Sequence, residues 1–219
     1  MKQLLLIVVT LLLCAVSSQA QQVFAEAGRV TSKFNYTNSD GQELTGLVNQ
    51  TNFHYALGYR RNLSPRFHAS GAFTFNQYGS LGNDPVYGNS YEWSARYFGI
   101  NVGMDYEFYK KKEWSFFTRA SFEPEFLMSG NQVVNNEIYD LNGVEQFDET
   151  FLFVNGGLGV NYCADGRVVV RLKYEYGYGS PLFTTDPETL RFSVHRLTLG
   201  VIVGSKYCSY CYQNSLKGS

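Results

Sequence analysis

Between Phe53 and Val203 the chain alternates apolar and polar residues in runs of about ten. Phe53, Tyr55, Leu57 and Tyr59 share one parity; His54, Ala56, Gly58 and Arg60 share the other. A period of two marks a strand, because successive side chains point to opposite faces. After Ser64-Pro65 the pattern returns, with Phe67, Ala69, Gly71, Phe73 and Phe75 against His68, Ser70, Thr74 and Asn76. Ile100, Val102, Met104, Tyr106 and Phe108 oppose Asn101, Gly103, Asp105 and Glu107. Trp114, Phe116, Ala120, Phe122 and Phe126 oppose Ser115, Arg119, Ser121, Glu123 and Glu125. Leu152 to Tyr162, Val168 to Gly177 and Arg196 to Val203 alternate likewise. Trp93, Ala95 and Tyr97 are out of phase with Phe98 onward, which predicts a bulge near Tyr97. A first strand over Phe24 to Tyr36 has mixed faces.

Connections decide which face is wet. Those near Ser64, Lys110-Lys111-Lys112 and Ala164-Asp165-Gly166 are short; those over 37–47, 79–90, 129–150 and 180–189 are long and polar. Such alternation gathers the long loops at one end, as in a closed barrel in a bilayer. A charge on the lipid side at mid-membrane costs about 2–4 kcal/mol, so the aromatic faces look outward and the charged faces inward. The reading is all-β: an eight-stranded antiparallel transmembrane β-barrel with short periplasmic turns and long extracellular loops. Tyr59, Phe67, Phe108, Trp114 and Tyr162 then form the lower interfacial girdle. A soluble sandwich would invert every face.

Segment 1–20 reads as a secretory signal: Lys2, an apolar stretch from Leu4 to Leu13, and a Ser18-Gln19-Ala20 cleavage site. Cys14 follows three leucines rather than a small residue, against lipidation. Residues 21–204 form the barrel and 205–219 a periplasmic tail. The net charge of −1 excludes a broad basic field for nucleic acid. The 17 Tyr and 17 Phe matter for where they fall, on the outward parities.

Several segments resemble the small outer-membrane β-barrel family of the Bacteroidetes, related in architecture to OmpA- and OmpX-type barrels. They are Glu26-Ala27-Gly28-Arg29 with Phe34-Asn35-Tyr36, Tyr91-Glu92-Trp93, and Gly99 to Gly103. Ser121 to Leu127 and Gly156-Gly157-Leu158-Gly159-Val160 complete the set. The likeness spans the mature chain and implies fold and location in the bacterial outer membrane, not an activity. Such barrels often end on an aromatic residue; this one continues past Val203.

An eight-stranded interior is filled by side chains. Here it holds Arg60, Arg119, Arg171, Lys173 and Arg196 with Asp105, Glu107, Glu123, Glu125 and Glu175. Near-equal numbers of opposite sign predict a paired network that plugs the lumen; a polar path for ions is the alternative. Ser193 and His195 lie on one face, the pairing that lipid A deacylase barrels use with an acid. Order and spacing do not match, no acid partner is evident, and no catalytic residue is assigned. Pivoting the hairpin at Ser64 sets Arg60 opposite His68 and His54 opposite Thr74, so the histidines form no metal pair. The acidic segment 129–150 reads as solvated. Its Asp140-Leu141-Asn142-Gly143 lacks the remaining spacing of a calcium loop. Lys110 to Lys112 read as a polar turn near phospholipid head groups.

Cys163, Cys208 and Cys211 could form a disulfide in an exported protein. A bridge from Cys163 to either tail cysteine, closure of Cys208 on Cys211, and metal binding by that pair stay open. No cofactor or metal is assigned.

The functional expectation is a monomeric, non-enzymatic surface protein. Its partners are outer-membrane lipids, lipopolysaccharide and a protein at the loops or the periplasmic rim. An accessory of a secretion or transport apparatus, as in the similar PorT-type barrels, is second; a lipid-modifying enzyme is third.

Overall fold

The structure, a computed structural model, describes residues 21–39, 41–42, 46–84, 89–135, 137–165, 167–183 and 188–204. Residues 1–20, expected to be a secretory signal, and 205–219, with Cys208 and Cys211, lie outside the described residues. The strands are β1 (Gln21–Thr37), β2 (Val48–Asn62), β3 (Phe67–Asp84), β4 (Asn89–Lys111), β5 (Trp114–Val134), β6 (Glu137–Asp140), β7 (Phe151–Asp165), β8 (Val168–Pro181) and β9 (Thr189–Gly204). One short helix, α1 (Glu145–Asp148), precedes β7.

Each long strand pairs antiparallel with its neighbours, and β1 pairs with both β2 and β9. Phe24, for example, lies opposite Gly58 on one side and Ile202 on the other. The pairing of β4 with β5 completes a ring of eight strands; β6 pairs only with the far end of β5. A closed ring leaves no backbone edge to hydrocarbon, the condition for strands to cross a bilayer.

The faces are inverted relative to a water-soluble protein. Leu57, Phe73, Val102, Phe122, Leu158 and Leu199 are among the most exposed apolar side chains, while Arg60, Arg171, Arg196 and Asp105 are buried. At the turn end Trp114 packs on Tyr162 with ring centroids 4.7 Å apart, and Phe67 on Tyr106 at 4.8 Å. The β4–β5 turn is Lys112-Glu113, with Lys112 left-handed at φ 54°. A tight hairpin requires that conformation because its twist matches the flanking strands.

Two local expectations are corrected and the mixed first strand is explained. Segment 79–90 is not a long loop: β3 and β4 stay paired to Asp84 and Asn89, so the wall there rises above the rest. The bulge beside Tyr97 belongs to β5, where Leu127 and Ser129 lie opposite Tyr97 and Arg96 with Met128 between them. Strand β4 therefore keeps its alternation, and Ala95 and Tyr97 point inward. The mixed faces of β1 involve no bulge; they arise because the lumen takes apolar as well as charged residues. The inward residues of β1 are Phe24, Glu26, Val30, Ser32 and Phe34, apolar at both ends and charged between.

The lumen is accordingly layered. Toward the turn end, Phe24, Ala56, Ala72, Cys163, Val169 and Ile202 cluster. Toward the loop end, Val30, Phe34, Tyr78, Tyr97, Phe151, Phe153 and Phe192 form a larger aromatic cluster. Charged residues fill the middle. Because Val102 faces outward at mid-strand, Val102→Arg should destabilise the barrel by about 2–4 kcal/mol in lipid vesicles. Urea-driven unfolding measures it; an unchanged midpoint would mean that this face meets water.

Candidate functional site

The middle layer is built from inward positions of every ring strand. Asp105 on β4 is its hub. Its Oδ1 accepts from Arg119 Nη1 at 2.7 Å and its Oδ2 from Arg171 Nη2 at 2.7 Å, with Arg60 Nε 3.3 Å from Oδ2. Three guanidiniums from β2, β5 and β8 thus meet one carboxylate. Arg119 also donates to Glu175 at 3.1 Å, to Ser70 at 2.8 Å and to Asn101 at 2.7 Å. Lys173 lies 2.8 Å from both Glu26 and Glu175. Room for these long side chains comes from glycine: a Cβ on Gly103 would meet Arg119 Nη2 at 2.6 Å.

A second centre lies nearer the loops. Arg196 on β9 reaches across the lumen to β5, donating to Glu123 at 2.7 Å and to Glu125 at 3.2 Å. Its Nη2 also donates to the Tyr78 hydroxyl at 2.8 Å, and that hydroxyl donates to Glu125 at 2.8 Å. Asn76, Asn101 and Asn155 donate to the same carboxylates at 2.7–3.2 Å. Glu107 lies 3.4 Å from Arg60 and 3.2 Å from His68 Nε2. The structure therefore draws Arg60, Asp105, Glu107, Arg119, Glu123, Glu125, Arg171, Lys173, Glu175 and Arg196 into one lumenal network.

Above it sits the aromatic cluster. Phe192 is its centre, 4.8 Å from Phe151, 4.9 Å from Phe34 and 5.4 Å from Tyr78 between ring centroids. Residues between β5 and β7 fold down onto it. Leu141 and Phe147 are buried there, and Tyr97 donates to the Phe147 carbonyl at 3.1 Å.

The sequence matches the model of the "Outer membrane protein beta-barrel domain" family over residues 6–202. The chain belongs to this family. It is an integral outer-membrane barrel protein. No curated protein matches the sequence. Among solved structures it is similar to Neisserial surface protein A, at 14% identity and TM-score 0.51, covering 84% of this chain and 96% of that one. It is also similar to OprG from Pseudomonas aeruginosa, at 8% identity and TM-score 0.52, covering 85% and 97%. At these identities the likeness is one of fold.

Other candidate residues of this family member fall as follows. Ser193 and His195 are on the outer wall: Ser193 accepts from Asn35 at 3.2 Å, and His195 Nδ1 is 2.7 Å from the Tyr174 hydroxyl. His54 lies opposite Asn76, not Thr74, with Nδ1 2.5 Å from its Oδ1. His68 lies opposite Asn62, not Arg60, with Nδ1 2.7 Å from its Oδ1. The hairpin pivots on Pro65 rather than Ser64, which shifts each pair by two residues. Among the described residues no three His, Cys, Asp or Glu side chains converge as a metal site. Segment 129–150 is not simply solvated: Leu141 is buried beside Asp140, whose side chain accepts from the Asn142 amide at 2.9 Å. Lys110 Nζ reaches Glu107 at 4.0 Å. Cys163 is disulfide-bonded, and the sulfur it meets lies outside the described residues.

Sequence reasoning missed Glu26, Tyr78 and Phe117. Ala25 and Ala27 flank Glu26 and carry too weak an apolar signal to set the parity of β1. Phe117 hides beside the outward Phe116 yet lies under Arg171, whose guanidinium is 4.3 Å from its ring centre. Removing one member of a buried ion cluster costs about 3–5 kcal/mol. Asp105→Asn should therefore lower the urea midpoint in vesicles steeply, while Arg61→Gln on the exposed rim should leave it within experimental error.

Proposed function

We propose that this outer-membrane protein is a non-enzymatic, non-conducting scaffold that presents its loop end outside the cell for surface contacts. The observation that carries the reading is the layered lumen. Arg196 crosses from β9 to the β5 carboxylates, and Phe192 with its aromatic neighbours stacks above it. An eight-stranded interior is only wide enough for such side chains, so they leave no continuous aqueous path.

Both termini of the ring and its short turns share one end, which supports a periplasmic turn end and external loops. Loops on a rigid scaffold are where binding resides. The Ser193/His195 pair supports no catalytic reading, since each side chain is engaged by a different neighbour. The β5–β7 connection, pinned through Leu141 and Phe147, is held against the lumen and is a base for a contact surface.

Planar-bilayer recording of the purified protein tests the plugged lumen. The expected trace has no steady single-channel steps; reproducible steps would overturn it. Deleting residues 205–219 should leave protein secretion intact, whereas an accessory barrel of a secretion apparatus working through its rim would lose it.

A further inference from the structure

The outer wall carries an asymmetry that the plugged scaffold does not use. On β1 the outward residues are Val23, Ala25 and Ala27, then Arg29, Thr31 and Lys33. The two alanines lie between the bulkier Tyr55 and Leu57 of β2 and Leu199 and Val201 of β9. They floor a groove of about 590 Å³ walled by Tyr55, Leu57, Leu199 and Val201. Almost all of its lining is apolar.

Directly on the loop side of this groove the wall turns basic. Arg29 is the next outward residue after Ala27, about 7 Å further along the strand. Its guanidinium lies over Phe53, 4.0 Å from the ring centre. Lys33 pairs with Ser193, and Arg191 and His195 are the outward residues on either side of Ser193. All four basic side chains are exposed. Strand β9 contains no carboxylate, and the only one in β1, Glu26, points into the lumen. None of the three strong cations has an ion pair among the described residues. His195 is held by Tyr174 and packs 5.1 Å from the Tyr176 ring.

An apolar trough with cations at its rim matches a lipid whose acyl chain runs down the wall from an anionic head group. We propose that the β9–β1–β2 wall seats one phosphorylated glycolipid of the outer leaflet. Its phosphate lies among Arg29, Lys33, Arg191 and His195, and one acyl chain lies over Ala25 and Ala27. The choice of leaflet rests on the external placement of the loops, because the cations are on the loop side of the groove. The asymmetry fits a single seat. On the opposite wall the small outward residues are Ala120 and Gly156, and the outward positions near them are Thr118, Phe122, Val154 and Leu158, with no cation among them.

Native mass spectrometry of the full chain in detergent tests the seat, with diphosphorylated lipid A, its dephosphorylated form and phosphatidylglycerol as probes. One bound diphosphorylated molecule is expected. Retention should fall at least about tenfold in the Arg29→Gln/Lys33→Gln double variant. Ala27→Phe, which fills the trough, should also weaken it, and Arg61→Gln at the other rim should not. Unboiled gel migration confirms that each variant is folded. Equal retention by the double variant, or of the dephosphorylated lipid, would overturn the seat. Equal retention of phosphatidylglycerol would overturn the assignment to a glycolipid. Protease access to the loops on intact cells reads the orientation independently, so failure of the seat and failure of the orientation are distinguishable.

Discussion

Hydrocarbon offers no hydrogen-bond partner, and that single constraint organises this protein. The backbone answers it by closing: β1 meets β9, and every ring strand is paired on both sides. The side chains answer it by sorting. Apolar residues such as Leu57 and Leu199 turn to the bilayer, so the groups that would normally seek water must be satisfied inside the ring. Asp105 shows how. One carboxylate between Arg60, Arg119 and Arg171 links β2, β4, β5 and β8, giving opposite walls a common anchor. The same contacts fix strand register, because a slip of one residue would send each charge into lipid.

The charged layer does not stand alone. It is bounded by Phe24, Val169 and Ile202 toward the turns and by the Phe192 cluster toward the loops. Apolar ends exclude water from the ion pairs and strengthen them, since electrostatic interactions grow as the local dielectric falls. They also explain why Leu141 and Phe147, from a segment rich in acids, fold inward rather than staying in solvent. The aromatic layer above the charges thus also holds the segment between β5 and β7 in place.

Much of this was legible in the alternation. The inward parity of Arg60, Asp105, Arg119 and Arg196 follows from the cost of charge in lipid, whereas the room that Gly103 leaves for Arg119 shows only in the structure. Legibility failed where the lumen itself turns apolar. At Tyr97, Phe117 and Phe153 an aromatic residue can face either way, and parity alone does not separate lipid from a buried aromatic layer. The first strand combined both problems, with small residues outside and apolar ones inside. The length of β3 and β4 was hidden because their upper residues, beyond the bilayer, are polar on the outer face. Hairpin register was misread by two residues because the turn centres on Pro65 rather than Ser64: Asn62 pairs with His68, and the Leu63 and Ser64 amides both donate to the Phe67 carbonyl.

The account stands on which side of each strand meets lipid. The most direct measurement is methyl NMR of the protein in lipid nanodiscs, recording cross-relaxation between side-chain methyls and acyl-chain protons. Leu57, Leu158, Leu172 and Leu199 should show strong transfer from the acyl chains, while Val30, Leu190 and Val194 should show none. The reverse pattern, or acyl contact at both sets, would contradict an inside-out barrel closed around its own charges.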